Sequence, residues 1–106
     1  MISFAFCTYN RADRLDALVA AMRAQQADVP FEILVVNNNS SDDTLSVLEK
    51  LAAQPGAPLR YVTESTQGIV PARNRALAEA MDSDILIFMD DDELPHPGLV
   101  AAAHHA

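Results

Sequence analysis

Hydrophobic and polar positions follow two different periods along this chain. At the start, Ile2, Phe4 and Phe6 alternate with small or polar residues, which is the period-two pattern of a β-strand. Two later runs, "FEILVVN" (31–37) and "ILIFM" (85–89), are almost continuously apolar, as is typical of parallel strands covered on both faces. With the shorter run "LRYVTE" (59–64), the pattern predicts four strands.

Between these strands the apolar residues recur at helical spacing. The polar segment "NNNSSDDT" (37–44) opens one of these helices, and Ser40 or Ser41 is its expected cap. The last predicted helix has no cap at its end, which favours a fragment of a longer protein. The helices are predicted at 11–26, from the polar turn to about Ala53, at 72–81 and over the final residues 97–106.

Alternation of strands and helices predicts the fold class. Strand–helix–strand units connect parallel strands by right-handed crossovers, which place helices on both faces of a sheet. The chain has 106 residues, so it forms one domain at most. We therefore expect an α/β, Rossmann-like three-layer sandwich with a mainly parallel four-stranded sheet.

Polar residues follow three of the four predicted strands. Strand one ends in Thr8–Tyr9–Asn10, strand two in the residues 37–40, and strand four in the acidic run 90–93. The carboxyl ends of parallel strands lie along one edge of a sheet, and ligands bind beyond that edge where the strand order reverses. These residues are therefore predicted to converge on one site.

The residue types at that edge suit an anionic ligand that carries an aromatic ring. Carboxylates with oxygen-only ligation fit Mg²⁺ or Mn²⁺, which also bind phosphates. Tyr9 offers a stacking face, Asn38 offers a donor and an acceptor for a base edge, and Arg73 can meet a phosphate. The plainer alternatives are a solvated acidic turn, an asparagine turn, and an Arg73 that ties the fold by pairing with Asp82, Asp84 or the acidic run 90–93.

Composition narrows the classes of partner. The net charge of −8 argues against a nucleic-acid partner, which would need a basic face. Cys7 is the single cysteine, so an internal disulfide is excluded and a reducing compartment is favoured. No run approaches the ~20 apolar residues of a membrane span. We expect a soluble, cytoplasmic protein with no transmembrane segment in this chain.

Four segments together resemble the family 2 glycosyltransferases with a GT-A fold. They occur in the order and roughly the spacing of that family and cover nearly the whole chain. The matching segments are "CTYNR" (7–11), "EILVVNNNSSDDT" (32–44), "GIVPARNRAL" (68–77) and "FMDDDE" (88–93).

The resemblance implies transfer of a hexosyl-type sugar from a nucleotide-diphosphate sugar to an acceptor hydroxyl, as in the synthesis of cell-surface polysaccharides. It implies Mn²⁺ or Mg²⁺ as the cofactor, a UDP- or dTDP-sugar as the donor, and a saccharide, lipid or protein acceptor. Residues 1–93 would be the nucleotide-sugar-binding GT-A subdomain, ending in the Asp-X-Asp motif, and residues 94–106 would begin the following helix. A full-length protein would be cytoplasmic or peripheral at the inner face of the membrane.

Carried over by position, the resemblance also implies roles for individual residues. Tyr9 would stack on the base, Asn38 would read the base edge, and Arg73 matches the arginine of the family's Ala-Arg-Asn segment. Asp92, with Asp90, would hold the metal. The residues expected to bind the nucleotide sugar are Thr8, Tyr9, Asn10, Arg11, Asn38, Asn39, Arg73, Asp90 and Asp91.

Two departures from the family pattern leave alternatives open. Asn37 and Asn38 replace a commonly acidic pair, so the nucleobase is not specified. Only fourteen residues follow Asp92, so the base that activates the acceptor is expected to lie outside this chain. The alternatives are a non-catalytic nucleotide- or metal-binding module and a receiver-like, Mg²⁺-binding signalling domain. The latter requires acids at the end of strand one, where this chain has Thr8–Tyr9–Asn10.

Overall fold

The computed structural model describes residues 2–26, 29–91 and 94–105, and within them it contains four strands and four helices. All four predicted strands are present, and a helix follows each one. In chain order the elements are β1 (Ile2–Thr8), α1 (Ala12–Arg23), β2 (Phe31–Asn37), α2 (Thr44–Ala52), β3 (Leu59–Thr63), α3 (Ile69–Glu79), β4 (Ile85–Asp90) and α4 (Leu99–His105).

The strands form one sheet in the order β3-β2-β1-β4, and each neighbouring pair is parallel. Their ends are aligned, because Thr8 pairs with Asn37, Asn37 with Thr63, and Cys7 with Asp90. The chain moves outward from β1 to β3 and then returns to the other side of β1. The strand order therefore reverses between β1 and β4, which is where ligands bind in open α/β sheets.

The two faces of the sheet are covered differently. Helices α1, α2 and α4 share one large apolar core with alternate residues of the strands, including the fully buried Phe4 and Phe6. Helix α3 lies on the opposite face and packs through Ala72, Ala76 and Ala80, whose small side chains let the helix approach β1 and β2 closely. The predicted three-layer α/β sandwich with a parallel sheet is confirmed.

Two predicted details at the helix starts differ from the structure. Helix α3 begins at Ile69, three residues before the predicted start at 72, directly after Gly68 with its positive φ of 133°. The predicted serine cap of α2 is wrong. Ser40 and Ser41 instead bond to Asn10 in the neighbouring loop, and the Asp42 carboxylate accepts from the Thr44 amide at 3.0 Å. Asp42 lies only one or two residues closer to the helix than these serines, and its carboxylate reaches the first helical amide.

Candidate functional site

An open cavity of about 320 Å³ lies at the carboxyl edge of the sheet, at the reversal point between β1 and β4. The end of β1 forms one wall, and the segment that joins β3 to α3 forms the other. The sequence therefore brings together at this cavity several residues that are far apart along the chain. Its lining residues are Cys7, Thr8, Tyr9, Arg11, Asn38, Gln67, Gly68, Ile69, Ala72 and Asp91.

Thr8, the last residue of β1, carries a buried hydroxyl in the cavity wall. The residue is only 2% exposed, and its Oγ1 has no hydrogen-bond partner in the described parts of the chain. A buried polar atom without a partner is unfavourable by roughly 1–3 kcal/mol. Such an atom beside an open cavity is placed to bond to water or to a polar group that enters the cavity.

Tyr9 and Arg11 stand at the rim of the cavity. Tyr9 is 43% exposed, so its ring face is free for stacking. The Arg11 guanidinium lies 3.8 Å from the Asp91 carboxylate, and this ion pair joins the loop after β1 to the residue after β4. The acidic run thus has a positive neighbour, although at this exposure the pair contributes little to stability.

The Asn38 side chain lies in the cavity wall and is 6% exposed. Its amide nitrogen donates to the backbone carbonyls of Glu64 and Thr66, at 3.2 and 3.0 Å. Its carbonyl oxygen accepts from the Gly68 amide at 2.9 Å. These three bonds all connect the end of β2 to the segment before α3.

Asn10 and Asn39, also predicted to bind the ligand, do not line this cavity. Both have left-handed backbone conformations, with φ of 52° and 60°. The side-chain oxygen of Asn10 accepts hydrogen bonds from the backbone amides of Ser41 and Asp42, at 2.8 and 3.3 Å. Asn10 therefore joins the loop after β1 to the loop after β2, two segments that border the site.

Arg73 and Asp90 border a smaller cavity of about 140 Å³ beside the first, and Cys7, Ile69 and Asp91 line both. The Arg73 guanidinium lies 5.4 Å from the centre of the Phe88 ring, a cation–π geometry that holds it against β4 near the acidic residues. Burial is the main reason that the pKa of the Cys7 thiol rises to about 11, and nearby Asp91 adds to the rise while Arg73 opposes it. The thiol is therefore neutral near pH 7.

The donor set at this edge suits a hard divalent cation. Asp90 and Asp91 are carboxylates that line the cavities, Asp91 both of them and Asp90 the smaller one. Asp92, the principal predicted metal ligand, and Glu93 lie outside the described residues. Among the residues that the structure describes, no group of three or more acidic, histidine or cysteine side chains could hold a metal alone. Mg²⁺ usually needs only one or two carboxylates together with ligand phosphates, so these residues fit such an ion.

Five cavity residues were not among the predicted site residues. One is Cys7 in β1. The other four come from the start of α3 or the residues just before it: Gln67, Gly68, Ile69 and Ala72. They fall in or beside the segment "GIVPARNRAL", so the available signal was Gly68. A glycine directly before a helix allows a backbone conformation that other residues rarely adopt and leaves a ligand close access to the helix start.

Comparison with known proteins identifies the family. The glycosyl transferase family 2 model matches residues 3–103. This chain belongs to that family. Among curated family relatives, it is 40% identical to the glycosyltransferase YfnE of Bacillus subtilis, with 88% of this chain aligned to 23% of YfnE. It is 34% identical to YwdF of the same organism, with 92% of this chain aligned to 34% of YwdF.

Solved glycosyltransferases share the fold. The mannosyltransferase PcManGT of Pyrobaculum calidifontis, in complex with GDP-Man and Mn²⁺, is 29% identical with a TM-score of 0.81, over 94% of this chain and 30% of PcManGT. Residues 1–349 of Staphylococcus aureus TarS, in complex with UDP-GlcNAc, are 26% identical with a TM-score of 0.80, over 98% of this chain and 30% of that one. The predicted GT-A fold is confirmed.

This chain spans between about a quarter and a third of the length of YfnE, YwdF and the two solved structures. In the described ranges, no helix has the length and apolar character needed to cross a bilayer.

Proposed function

We propose that this chain forms the donor-binding part of a metal-assisted glycosyltransferase that moves a hexosyl group from a nucleotide-diphosphate sugar to an acceptor hydroxyl. The observation that carries the proposal is the buried Thr8 hydroxyl, which has no hydrogen-bond partner among the described residues and lies in a cavity at the strand reversal point. In this proposal, residues 1–93 hold the donor, and the acceptor site and the base that activates the acceptor lie outside this chain.

The nucleoside end of the donor would occupy the larger cavity. Its base would stack on the exposed Tyr9 ring, and a polar group of the nucleoside would bond to the Thr8 hydroxyl that otherwise lacks a partner. Asn38 and the segment before α3 would form the opposite wall. In this arrangement the apolar base contacts the Tyr9 ring, and the polar groups of the nucleoside contact the polar wall of the cavity.

The diphosphate would extend toward β4, where Arg11 and Arg73 provide positive charge. Arginine presents a planar fork of donors that matches phosphate oxygens. Asp90 and Asp92, the outer acids of the predicted Asp-X-Asp motif, would hold Mn²⁺ or Mg²⁺. When bound, such an ion acts as a Lewis acid that stabilises the charge on the leaving diphosphate.

The structural neighbours support this assignment. PcManGT was solved with GDP-Man and Mn²⁺, and TarS with UDP-GlcNAc. Two neighbours that match nearly the whole chain therefore bind nucleotide sugars with different bases. We retain a UDP- or dTDP-sugar as the proposed donor, with a saccharide, lipid or protein as the acceptor.

Calorimetric titration with UDP, dTDP and GDP, each in Mn²⁺ and in EDTA, tests the proposal. We expect saturable binding of one nucleotide that depends on the metal and is lost in Asp92→Ala. Asp82→Ala is the matched control, since it removes an exposed carboxylate from the turn before β4, at the other end of that strand. If the folded chain binds none of the nucleotides, or if both variants lose binding equally, the proposed site is wrong.

A further inference from the structure

The segment between β3 and α3, residues 64–68, forms a wall of the larger cavity. Its first amide, of Glu64, donates to the Asn37 carbonyl of β2 at 2.9 Å, and one side chain at the end of β2 holds the rest of the segment. Asn38 donates to the carbonyls of Glu64 and Thr66 and accepts from the amide of Gly68. The Asn38 backbone amide in turn donates to the Thr8 carbonyl at 2.9 Å. One buried residue therefore connects the ends of β1, β2 and β3 through its own bonds.

These bonds require an amide and not a carboxylate. The side-chain nitrogen of asparagine has two donor hydrogens, and the two carbonyls take both. An aspartate has the same shape but is ionised near neutral pH, and it would then point a negative oxygen at two carbonyl oxygens. Loss of two donors and the added repulsion would push the segment away from β2.

We propose that Asn38 is a positioning residue that fixes the 64–68 segment and so sets the width of the cavity. Because both donor hydrogens are used and the side chain is 6% exposed, Asn38 acts on the ligand through Gln67 and Gly68, which line the cavity. The part of this inference that concerns the ligand rests on the proposed nucleotide site, whereas the part that concerns the loop does not.

The neighbouring Asn37 supplies a matched control. Its side-chain oxygen accepts from the Ser40 amide at 3.2 Å, and a carboxylate can accept the same bond. Asn37→Asp therefore makes the same chemical change as Asn38→Asp, one position earlier in the chain. It keeps the described bond from the Ser40 amide. Asn38→Ala removes the donors and the acceptor together without adding charge.

The experiment measures amide hydrogen exchange in the ligand-free protein and, separately, the affinity for the nucleotide that the wild type binds. We expect the amides of Thr66 and Gly68, which have described acceptors, to exchange about tenfold faster in Asn38→Asp and in Asn38→Ala, with β1 and β2 unchanged. Asn37→Asp should leave this exchange as in the wild type. The affinity should fall by about tenfold in both Asn38 variants, because an unfixed wall must be ordered on binding.

Wild-type exchange at Thr66 and Gly68 in both Asn38 variants would overturn the proposal, as would equal acceleration in Asn37→Asp. Faster exchange with unchanged nucleotide affinity would also overturn it, because the segment would then have no part in binding. If Asn38→Asp does not fold, Asn38→Ala decides alone. If the wild type binds no nucleotide, the proposed function fails, and the exchange data still decide whether Asn38 holds the segment.

Discussion

The Thr8 hydroxyl is the side-chain group whose surroundings say most about a ligand. It is buried at the end of β1 beside the cavity, and it has no partner within the described residues. Valine has nearly the same shape without the hydroxyl, so Thr8→Val separates the stability of the free protein from ligand binding. In the free protein, the substitution removes an unsatisfied group and leaves the packing nearly intact.

We therefore expect Thr8→Val to leave the free energy of unfolding unchanged or to raise it by about 1 kcal/mol, and to weaken nucleotide binding about five- to tenfold. Urea denaturation and calorimetry measure the two quantities. Thr63→Val is the control, because Thr63 is exposed at the end of β3 and does not line the cavity. Wild-type affinity in Thr8→Val would show that the hydroxyl does not contact the ligand.

Three consecutive asparagines show how far residue types alone can predict a role. The sequence predicts that Asn38 and Asn39 contact the ligand, with a simple asparagine turn over 37–39 as the alternative. In the structure Asn37 accepts a bond from Ser40, Asn38 holds the next loop, and Asn39 adopts a positive φ of 60°. The turn could be predicted because asparagine tolerates such conformations. The bonds of Asn38 could not, because they depend on which loop β3 brings alongside.

Arg75 shows the same limit in a charged residue. Helical spacing alone does not show which partners its guanidinium meets. Its guanidinium is half-buried, bonds to Glu79 one helical turn further on at 3.1 Å, and reaches the Thr63 carbonyl at 3.2 Å. Periodicity identifies the face of a helix, but the partners of a long side chain depend on the neighbouring strand.

At the scale of the elements, a residue just after α1 holds the beginning of α4. Gln25, just after α1, accepts from the Val100 amide at 2.9 Å and donates to the His96 carbonyl at 2.8 Å. It thus supplies an acceptor for one of the free amides at the beginning of a seven-residue helix. Val100 is fully buried in the core below, so the bonds also fix where the segment after the acidic run packs.

We expect Gln25→Ala to lower the free energy of unfolding by about 1 kcal/mol, as the loss of a helix cap does. Hydrogen exchange should accelerate over residues 96–102 while β1 and β2 keep their protection. Gln26→Ala is the matched control, because the described bond of Gln26, to the Pro97 carbonyl, uses its backbone amide. Equal effects of the two substitutions would show that the Gln25 side chain does not hold α4.

The elements themselves could be predicted because their core residues repeat at the correct spacing. The prediction for β2 matches its observed bounds, Phe31–Asn37, since an apolar run flanked by proline and asparagine leaves little choice. The start of α3 could not be predicted to the residue. Its apolar Ile69 and Val70 are exposed and carry no signal of burial, and the helix packs through alanines.

Across the whole molecule, the sheet face under α3 has a charged network at one end and the smaller cavity at the other. Near the start of the strands, Ser3, Glu32 and Arg60 bond across β1, β2 and β3, and Arg60 continues to Glu79 of α3. At the other end of the same face lies the cavity edge with Arg73 and Asp90. The charged network holds one end of α3, which steadies the helix whose beginning borders the site.

This network makes stability depend on pH in a predictable direction. Hydrogen bonding from Arg60 is the main reason that the pKa of Glu32 lies below its ordinary value of 4.5. A carboxyl with a lowered pKa in the folded state stabilises the fold above its unfolded pKa, and that contribution is lost as the pH falls through the folded value. Between pH 7 and the isoelectric point near 4.5, acid also reduces the magnitude of the net charge of −8 and so relieves repulsion, which acts in the opposite direction.

Glu32→Gln separates these two effects. At pH 7 it should lower the free energy of unfolding by about 1–3 kcal/mol, because glutamine cannot accept the paired bonds from Arg60 as a carboxylate does. Below pH 4.5 the difference from the wild type should shrink, because Glu32 is then protonated in the unfolded state and increasingly in the folded one. Urea denaturation between pH 3 and pH 7 measures this difference, with Glu49→Gln on the exposed side of α2 as the control for the loss of one negative charge. If the difference in the free energy of unfolding stays constant over this range, Glu32 stabilises the fold by packing and not by its charge. If the difference disappears in acid, the Glu32–Arg60 ion pair is what connects the sheet to α3.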